Sequence, residues 1–282
     1  LWEIFETETA LFPCLVDMKF KGVRVDIEKA HKIKKDLIKE EKGYLKKIKD
    51  ETGLEVEIWA AQSIAKVFDK LKLPYDRTET GAPSFTKNFL SQHPNEVAQS
   101  IAQAREINKA HTTFIDTILE HEHKGRIHAD INQIRSDDGG TVTGRFSYSN
   151  PNLQQIPARN KKIGPMIRGL FLPEEGCQWG AFDYSQQEPR IVVHYASLSG
   201  LNGVSNIVEA YQKGDADFHQ AVAEMADIDR KQAKTINLGL MYGMGKNKLK
   251  AELGLLDEQA EKLIAQYKER APFVNDLINA VS

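Results

Sequence analysis

Residues 230–245 read Arg-Lys-Gln-Ala-Lys-Thr-Ile-Asn-Leu-Gly-Leu-Met-Tyr-Gly-Met-Gly, and they decide how the rest of the chain is interpreted. On a helix that advances about 100° per residue, every fourth position falls on one slowly drifting stripe. The stripe here carries Arg230, Lys234, Leu238 and Tyr242. Cations one turn apart suit successive phosphates, and an aromatic ring suits a base, so the stripe can hold a polyphosphate and a base at once. An ordinary solvated cationic face is the alternative.

Two segments upstream carry further polar motifs. Residues 143–157 read Thr-Gly-Arg-Phe-Ser-Tyr-Ser-Asn-Pro-Asn-Leu-Gln-Gln-Ile-Pro, and residues 183–190 read Asp-Tyr-Ser-Gln-Gln-Glu-Pro-Arg. Together with residues 230–245, and in this order, they closely resemble the motifs of family A DNA polymerases, the DNA polymerase I type. The resemblance implies DNA-templated DNA synthesis from dNTPs on primer-template DNA, with two Mg²⁺ ions as the cofactor.

The order of helical and alternating patterns predicts an α+β fold that is mostly helical with a small antiparallel sheet. The resemblance implies a right-hand polymerase with a thumb, a partial palm and fingers. The expected boundaries are a palm entry helix and connector at 1–25, the thumb at 26–125, the first half of the palm with motif A at 126–200, and the fingers with motif B at 201–282.

Local signals predict individual elements. Apolar spacing predicts a helix over residues 1–24, and Asp26 is a good N-cap for the lysine-rich helix that follows. Asp257 is expected at the start of a later helix. The other expected elements are a small helical subdomain at 53–95, a returning thumb helix at 105–116, a strand over 127–132 and a short apolar strand over 178–182.

Asp183 is expected at the carboxyl end of the strand over 178–182, where a carboxylate can be held rigidly and still reach solvent and metal. The resemblance implies that Asp183 is a ligand of both metal ions, and that the Tyr184 carbonyl assists. Ser185 and Glu188 are spaced as a helix capping box, which would explain Glu188 structurally. The resemblance gives Glu188 a second role, the exclusion of a ribose 2′-hydroxyl.

The resemblance also implies contacts to the incoming nucleotide. His219 would contact the β-phosphate, and Lys234 would donate a proton to the leaving pyrophosphate. Tyr242 would stack at the template position, near Gly239. Leu238 departs from the Phe or Tyr that the family usually has at this position. The implied nucleotide-binding residues are Gln186, Glu188, His219, Arg230, Lys234, Leu238 and Tyr242.

The loop in residues 143–157 is rich in amide and guanidinium donors. Minor-groove acceptors occupy nearly the same place in every base pair, so such donors can test the shape of a pair without reading sequence. An ordinary polar loop is the alternative. The DNA-binding residues that the resemblance implies are Arg145, Asn152, Gln154, Gln155, Tyr242, Gly239 and Lys109.

The composition limits the function classes. A net charge of −2 over 282 residues means that nucleic-acid contacts must come from local patches. Cys14 and Cys177 are too few for a disulfide framework, and no His or Cys cluster has zinc spacing. No apolar run of about 18 residues predicts a membrane span. We therefore expect a cytoplasmic protein without a membrane partner, in the host cytoplasm if it is a phage protein.

The sequence lacks the His-Asp-Glu run that the family carries in motif C, on a later palm hairpin. We therefore expect that this polypeptide alone extends primers negligibly and that a C-terminal polymerase segment, covalent or separate, restores activity. The start at Leu1, without Met, suggests a longer protein. Two alternative functions remain, a relative of single-subunit RNA polymerases and a catalytically inactive primer-template-binding module. Glu188 and the run Thr-Gly-Arg-Phe-Ser favour DNA synthesis over RNA synthesis.

Overall fold

The structure is a computed structural model that describes residues 2–137, 139–158, 160–214, 217–226, 228–241 and 244–281. Within these residues it contains fourteen α-helices and eight short strands, and every strand pairing is antiparallel. The predicted α+β fold, mostly helical with small antiparallel sheets, is confirmed. Contacts divide the chain into two compact units, residues 1–179 and 180–282.

The described residues of the first unit form seven α-helices. A π-helical turn, Ala110–Ile115, joins the fifth to the sixth, so the returning helix predicted at 105–116 is part of a longer helical run. The helices are α1 (Trp2–Lys21), α2 (Ile27–Thr52), α3 (Ala61–Lys70), α4 (Lys87–Gln92), α5 (Glu96–Lys109), α6 (Asp116–Glu120) and α7 (Ile163–Arg168).

The α2 helix is defined by a cap at each end. At its start, Asp26 accepts a hydrogen bond from the backbone N–H of Lys29 at 2.9 Å, as its position in the sequence predicts. At its end, Gly53 adopts the left-handed conformation with φ 71°, which closes the last turn. The α2 helix packs on α5, and fully buried side chains such as Leu37, Ile48 and Ile101 fill the two hydrophobic clusters beneath it.

Short strands complete the first unit. Four of them, β1 (Val23–Val25), β4 (Glu122–His123), β5 (Arg126–Ile127) and β8 (Phe171–Leu172), form an antiparallel sheet in the order β4-β5-β1-β8. Two separate hairpins are formed by β2 (Asp76–Arg77) with β3 (Pro83–Ser84), and by β6 (Asp130–Asn132) with β7 (Ser147–Ser149).

The prediction of one strand over 127–132 is wrong. The chain forms two strands in different sheets, because β5 ends at Ile127 and pairs with β1, whereas β6 begins at Asp130 and pairs with β7. Between them, the ring nitrogen Nδ1 of His128 lies 2.9 Å from the carbonyl oxygen of Lys19. Apolar and polar residues do alternate from 127 to 132, but the strand partner changes within this stretch, from β1 to β7.

The helix predicted over residues 1–24 is present as α1, which ends at Lys21. Its apolar side chains are mostly exposed among the described residues: Trp2 is 70% and Phe20 is 85% exposed, whereas Leu15 is buried. None of the helices in the described part of the chain combines the length and the apolar character that crossing a bilayer requires.

In the second unit, every helix or strand among the described residues is an α-helix, and irregular segments join the helices. Phe218, Ile236, Leu249 and Phe273 are fully buried and form the centre of its core. The helix start predicted at Asp257 is observed. The helices are α8 (Gln187–Leu198), α9 (Ser205–Gln212), α10 (Phe218–Ala226), α11 (Arg230–Met241), α12 (Lys246–Leu253), α13 (Asp257–Arg270) and α14 (Pro272–Val281).

Candidate nucleotide-binding site

A reciprocal cap fixes the start of α11. The side chain of Asp229 accepts hydrogen bonds from the backbone N–H groups of Lys231 and Gln232, at 2.8 and 3.0 Å. In return, the Gln232 side chain accepts a hydrogen bond from the backbone N–H of Asp229 at 3.2 Å. These bonds satisfy donors that a helix start otherwise leaves unpaired. Arg230 is therefore held at the first helical position.

The α11 helix separates a buried apolar face from an exposed cationic one. Ala233 and Ile236 are fully buried in the core, whereas Arg230 and Lys234 are exposed. Side chains four residues apart lie one turn apart on the same side of a helix, so the two cations are neighbours. Lys234 has no acidic partner in the part of the chain that the structure describes.

Asp217 connects α10 to Arg230. One carboxylate oxygen lies 2.6 Å from Nε and 2.6 Å from Nη2 of Arg230. The other accepts hydrogen bonds from the backbone N–H groups of His219 and Gln220, at 3.0 and 3.2 Å. Burial acts to raise the pKa of Asp217, but the bonds from Arg230 and from the backbone outweigh burial and bring the pKa below its ordinary value. Asp217 is therefore ionised at neutral pH and holds Arg230 in place.

A buried pair lies beside these charges. His219 is 5% exposed and Asn237 is fully buried, and the amide nitrogen of Asn237 lies 2.9 Å from Nδ1 of His219. An amide nitrogen only donates, so the neutral imidazole accepts at Nδ1 and carries its proton on Nε2. Burial lowers the pKa of His219 below 6.5; Lys234 and Arg230 add to this effect, and Asp217 opposes it. His219 is therefore neutral at pH 7.

The structure thus brings together three residues that the sequence predicts to bind phosphates. His219 and Arg230 share Asp217 as a partner, and Lys234 is close enough to affect the pKa of His219. Two cations and one neutral N–H donor form a surface with several hydrogen-bond donors and a positive charge. Such a surface suits a chain of phosphate oxygens.

Gln186, which the sequence predicts to contact the nucleotide, supports the fold. Its side-chain oxygen accepts hydrogen bonds from the backbone N–H of Phe218 at 2.8 Å and from the hydroxyl of Tyr211 at 3.2 Å. Its backbone is left-handed, with φ 55°, and it occupies the N-cap position of α8. The capping box predicted from Ser185 and Glu188 is therefore absent, because the helix begins one residue later than that box requires. Glu188 lies in the first turn of α8, where a carboxylate is favourable.

Arg190 braces the start of α8. Its Nε donates to the carbonyl oxygen of Ser185 at 2.9 Å, and its guanidinium carbon lies 4.6 Å from the centre of the Tyr211 ring. Burial raises the pKa of Tyr211 to about 12, although the positive charge of Arg190 acts in the opposite direction. Arg190, Gln186 and Tyr211 therefore join α8 to α9 and α10.

The strand predicted over residues 178–182 is not present, and this is a correction to the expected setting of Asp183. No strand in the described part of the chain pairs with this segment, which is irregular. Phe182 is 99% and Tyr184 is 81% exposed, and Asp183 between them is also exposed. A strand is stabilised by ladder hydrogen bonds and by the burial of its apolar side chains, and this segment has neither.

Asp183 and the Tyr184 carbonyl do not form a complete magnesium site. Mg²⁺ demands near-octahedral oxygen coordination, with one or two carboxylates as typical protein ligands. Among the described residues, no group of three or more His, Cys, Asp or Glu side chains is placed to hold a metal ion. The donor set around Asp183 therefore does not fit two metal ions without a further carboxylate.

The predicted DNA-binding loop lies in the first unit. Arg145, Asn152, Gln154 and Gln155 are all exposed. The loop is held by its own side chains: Gln154 Nε2 donates to the carbonyl oxygen of Phe146 at 3.0 Å, and Asn152 Oδ1 accepts from the backbone N–H of Gln154 at 3.1 Å. The side-chain nitrogen of Gln154 thus donates one hydrogen bond within the loop. The side-chain nitrogen of Asn152 takes part in neither of these two hydrogen bonds.

The remaining predicted residues have different settings. Lys109 is exposed at the end of α5, and Leu238 is half-buried on α11. A Cβ atom added to Gly239 would lie 2.8 Å from Cε and Sδ of Met244, so the flexible end of the Met244 side chain would have to move to accommodate it. Tyr242 lies outside the described residues.

Two residues of the site were missed by sequence reasoning. Asp217 precedes α10 as an N-cap, and Asn237 lies seven residues after Arg230 and three after Lys234, on the same side of α11. The spacing of Asn237 was visible in the sequence. Its burial against His219 depends on how α10 packs on α11, which the sequence does not show.

Sequence comparison relates this chain to known proteins. Residues 27–282 match the sequence profile of DNA polymerase family A. A DNA-directed DNA polymerase of Pseudomonas phage M6 is 37% identical over 273 residues, which cover 90% of this chain and 41% of the phage protein. A thermostable DNA polymerase I of Thermus filiformis is 34% identical over 291 residues, covering 97% of this chain and 33% of that protein.

A solved structure is also similar: the POL domain of Pol1 from M. smegmatis, in complex with DNA primer-template and dNTP. Its TM-score is 0.80 at 26% identity, and the match covers 97% of this chain and 49% of that one. The chain therefore has the fold of a polymerase domain, although it spans less than half the length of these relatives. Because the family profile covers residues 27–282, the chain belongs to DNA polymerase family A.

Proposed function

We propose that this chain is the nucleotide-binding part of an enzyme that copies DNA by transferring nucleotides from dNTPs to a primer 3′-hydroxyl. One observation carries the proposal: Arg230 and Lys234 project from one side of α11 beside the neutral, buried ring of His219. A triphosphate needs positive charge and N–H donors in this arrangement. Membership of DNA polymerase family A supports DNA synthesis as the reaction.

Each side chain of this group has a distinct task. Arg230, oriented by Asp217, binds the oxygens at the γ-phosphate end. His219 carries its proton on Nε2 and donates it to the β-phosphate as a hydrogen bond. Lys234 lies at the α-phosphate side and donates a proton as pyrophosphate leaves, the role of a general acid.

The sugar, base and DNA contacts remain part of this proposal. Glu188 excludes a ribose 2′-hydroxyl, Leu238 faces the sugar and Tyr242 stacks beside the insertion site, near Gly239. Gln186 contributes by fixing the start of α8. The minor groove and backbone of the primer-template are contacted by Arg145, Asn152, Gln154, Gln155 and Lys109.

The metal ions require a residue from elsewhere. Asp183 and the Tyr184 carbonyl supply part of a donor set for Mg²⁺, and the sequence contains no motif C run to supply a second catalytic aspartate. We propose that a C-terminal polymerase segment supplies it. The chain then divides into a palm entry helix (1–25), a thumb (26–125), the first half of the palm (126–200) and the fingers (201–282).

Primer extension tests the proposal. The chain is assayed alone and mixed with the polypeptide that follows the matched region in the Pseudomonas phage M6 relative. We expect primer extension with dATP in the mixture, and none with the chain alone. Preference for ATP over dATP would instead identify an RNA polymerase relative, and equal extension by the chain alone would show that no further segment is needed.

Substitution of Asp183 separates an enzyme from an inactive clamp. In the mixture, Asp183→Ala should lower the extension rate by roughly a thousandfold, about 4 kcal/mol, while primer-template binding is retained. Glu258→Ala on α13 removes an exposed carboxylate elsewhere and should leave the rate unchanged. An extension rate that is the same with Asp183→Ala would contradict the proposed role.

A further inference from the structure

The N-terminal helix α1 carries a row of apolar side chains that we name the aromatic row. On a helix that advances about 100° per residue, its members fall within an arc of about 80° and span about 27 Å from the first to the last. The only other residue of α1 in that arc is Thr9, so the row contains no charged residue. The members are Trp2, Phe5, Phe12, Val16 and Phe20.

The aromatic row is uncovered in this chain. Trp2 is 70%, Phe5 and Phe12 are 58%, and Phe20 is 85% exposed. The rings of Trp2 and Phe5 contact each other, with their centroids 5.4 Å apart. Single exposed apolar residues are ordinary on a protein surface, whereas a continuous apolar patch marks a place of interaction. The row is therefore a candidate interface.

A neighbouring side of α1 holds the helix on the rest of its unit. Leu15 is buried there. The carboxylate of Glu8 accepts a hydrogen bond from Nε2 of Gln133 at 2.6 Å, and Lys19 forms an ion pair with Asp130. These contacts fix α1 without covering the aromatic row, so the row is presented on a helix that is already in place.

The exposed area of the aromatic row is sufficient for a specific dimer. A fully exposed aromatic side chain presents about 200 Å², so at their observed exposures the four rings present about 540 Å² per chain. Two copies that cover each other's row would bury about 1,100 Å² from these rings alone. A specific protein interface needs about 1,000 Å² or more.

The charges of α1 favour an antiparallel arrangement of two copies. Its first half carries three acids and no base, whereas Lys19 and Lys21 lie in its last turn. An antiparallel pair therefore places the acidic end of each helix beside the basic end of the other, with Glu3 close to Lys21 of the second copy. The two helix dipoles also oppose each other favourably. A parallel pair would instead place Glu3 beside Glu3 of the second copy.

We propose that the aromatic row is the interface of a symmetric dimer, in which the α1 helices of two copies of this chain pack antiparallel. One surface is then used by both copies, as a twofold axis requires. The rings form the apolar centre of the interface, and the acids and bases beside them form its rim and set the orientation.

A lipid surface is the less suitable occupant of the aromatic row. Helices that lie in a membrane interface carry Lys and Arg along their polar side, which attracts them to anionic headgroups. The polar side of α1, beside the row, instead carries Glu3, Glu6 and Asp17 with Lys21 as its base. Anionic lipids would repel this side.

Sedimentation equilibrium of the full chain over a range of concentrations tests the proposal. We expect a reversible dimer, and Phe5→Ser with Phe20→Ser should raise its Kd by roughly a hundredfold or more. The control is Ile4→Ser with Met18→Ser, which removes two exposed apolar side chains from the same helix but outside the arc of the row. The Kd of this control should stay close to that of the unmodified chain.

Neutralising the rim charges tests the orientation. Glu3→Gln and Lys21→Gln should each raise the Kd about threefold at low salt, because each removes the same two exposed ion pairs between the copies. The variant with both substitutions should be no weaker than either single variant, since the pairs are already lost. A lower Kd for either single variant would overturn the antiparallel arrangement, because it would mean that like charges face each other.

Other results overturn the dimer itself. A chain that stays monomeric at every concentration does not form it, and equal weakening by the two double serine variants would show nonspecific association. Binding to vesicles of anionic lipid that is lost with Phe5→Ser and Phe20→Ser, without any dimer, would assign the row to a membrane surface. If the C-terminal polypeptide of the phage relative dissociates the dimer and the same variant binds that polypeptide more weakly, the row belongs to that segment.

Thermal unfolding of each variant verifies that it is folded, which the high exposure of Phe5 and Phe20 leads us to expect. The measurement contains no DNA and no dNTP. Its outcome is therefore independent of the proposed nucleotide transfer, which the loss of turnover with Asp183→Ala tests separately.

Discussion

The proposed phosphate-binding group consists of His219, Arg230 and Lys234, and the acidic segment is residues 180–184, which contain Asp183. Both belong to the same compact unit, but their surroundings differ. In the first, His219 and Asn237 are buried and hydrogen-bonded, and Arg230 is held by Asp217. In the second, Phe182 is 99% exposed, and no described strand pairs with the segment. The cationic half of the proposed site is therefore preorganised by local contacts, and the acidic half is not.

This difference has a chemical consequence. A site that is ordered before its ligand arrives loses little entropy on binding, so its hydrogen bonds contribute fully to affinity. We therefore expect the proposed phosphate-binding group to bind a triphosphate in this chain alone. Asp183 lies on an exposed segment, so its proposed role as a metal ligand requires further packing to fix its position. We expect nucleotide binding and nucleotide transfer to be separable in this protein.

The largest effect on stability is expected for Asn237→Leu. Leucine has the same branched arrangement of heavy atoms as asparagine but cannot donate to His219, whose Nδ1 would be left buried without a partner. A buried group that loses its hydrogen bond costs about 1–3 kcal/mol. We expect a loss near the lower end, about 1–2 kcal/mol in the free energy of unfolding, because the Asn237 Oδ1 atom has no partner to lose. Denaturant unfolding measures this value.

Thr235→Ala on the same helix is the matched control for that experiment. Its hydroxyl bonds the carbonyl oxygen of Lys231 at 3.1 Å, one turn earlier, and it is not part of the buried pair. Its effect should be within about 0.5 kcal/mol. If both substitutions have the same small effect, then the buried pair does not stabilise the group, and the contrast between the two halves of the site is weaker than the contacts indicate.

The sequence allowed the charged groups of this site to be identified more completely than their surroundings. Local signals were sufficient for the cap at Asp26 and the helix start at Asp257, because a cap depends on residues a few positions apart. Asn237 was missed, and the strand over 178–182 was predicted wrongly, for one shared reason. Burial and strand pairing depend on elements that are distant in the sequence, and a run of apolar residues does not say what covers it.

A pH dependence is expected from His219 and should be smaller. Its pKa lies below 6.5 in the folded protein because the ring is buried, so the unfolded chain takes up the proton first as the pH falls. The stabilising contribution is present above pH 6.5 and is lost as the pH falls through the folded pKa. One proton changes the free energy of unfolding by at most about 1.4 kcal/mol per pH unit.

His219→Gln tests this expectation. The variant cannot take up the proton, so its stability should fall less steeply than that of the unmodified chain as the pH drops below 6.5. The comparison is made by denaturant unfolding at several pH values, and the difference between the two curves isolates His219 from the other histidines. Parallel curves would mean that the ring is not held neutral by burial, and that the phosphate-binding group is less ordered than its contacts indicate.

The smallest effect is expected for Phe182→Ser in the chain alone. Because this side chain is 99% exposed, its replacement removes almost no buried apolar surface. The free energy of unfolding should change by less than about 0.5 kcal/mol, the usual limit for surface positions. The same substitution should have a larger effect once the C-terminal segment is added, since a large apolar side chain at full exposure has the most surface to bury. Weaker association with that segment, measured by titration, would show that it covers the surface beside Asp183. Unchanged association, combined with a large loss of stability in the chain alone, would contradict this view. It would show that the acidic segment is already packed by this chain itself.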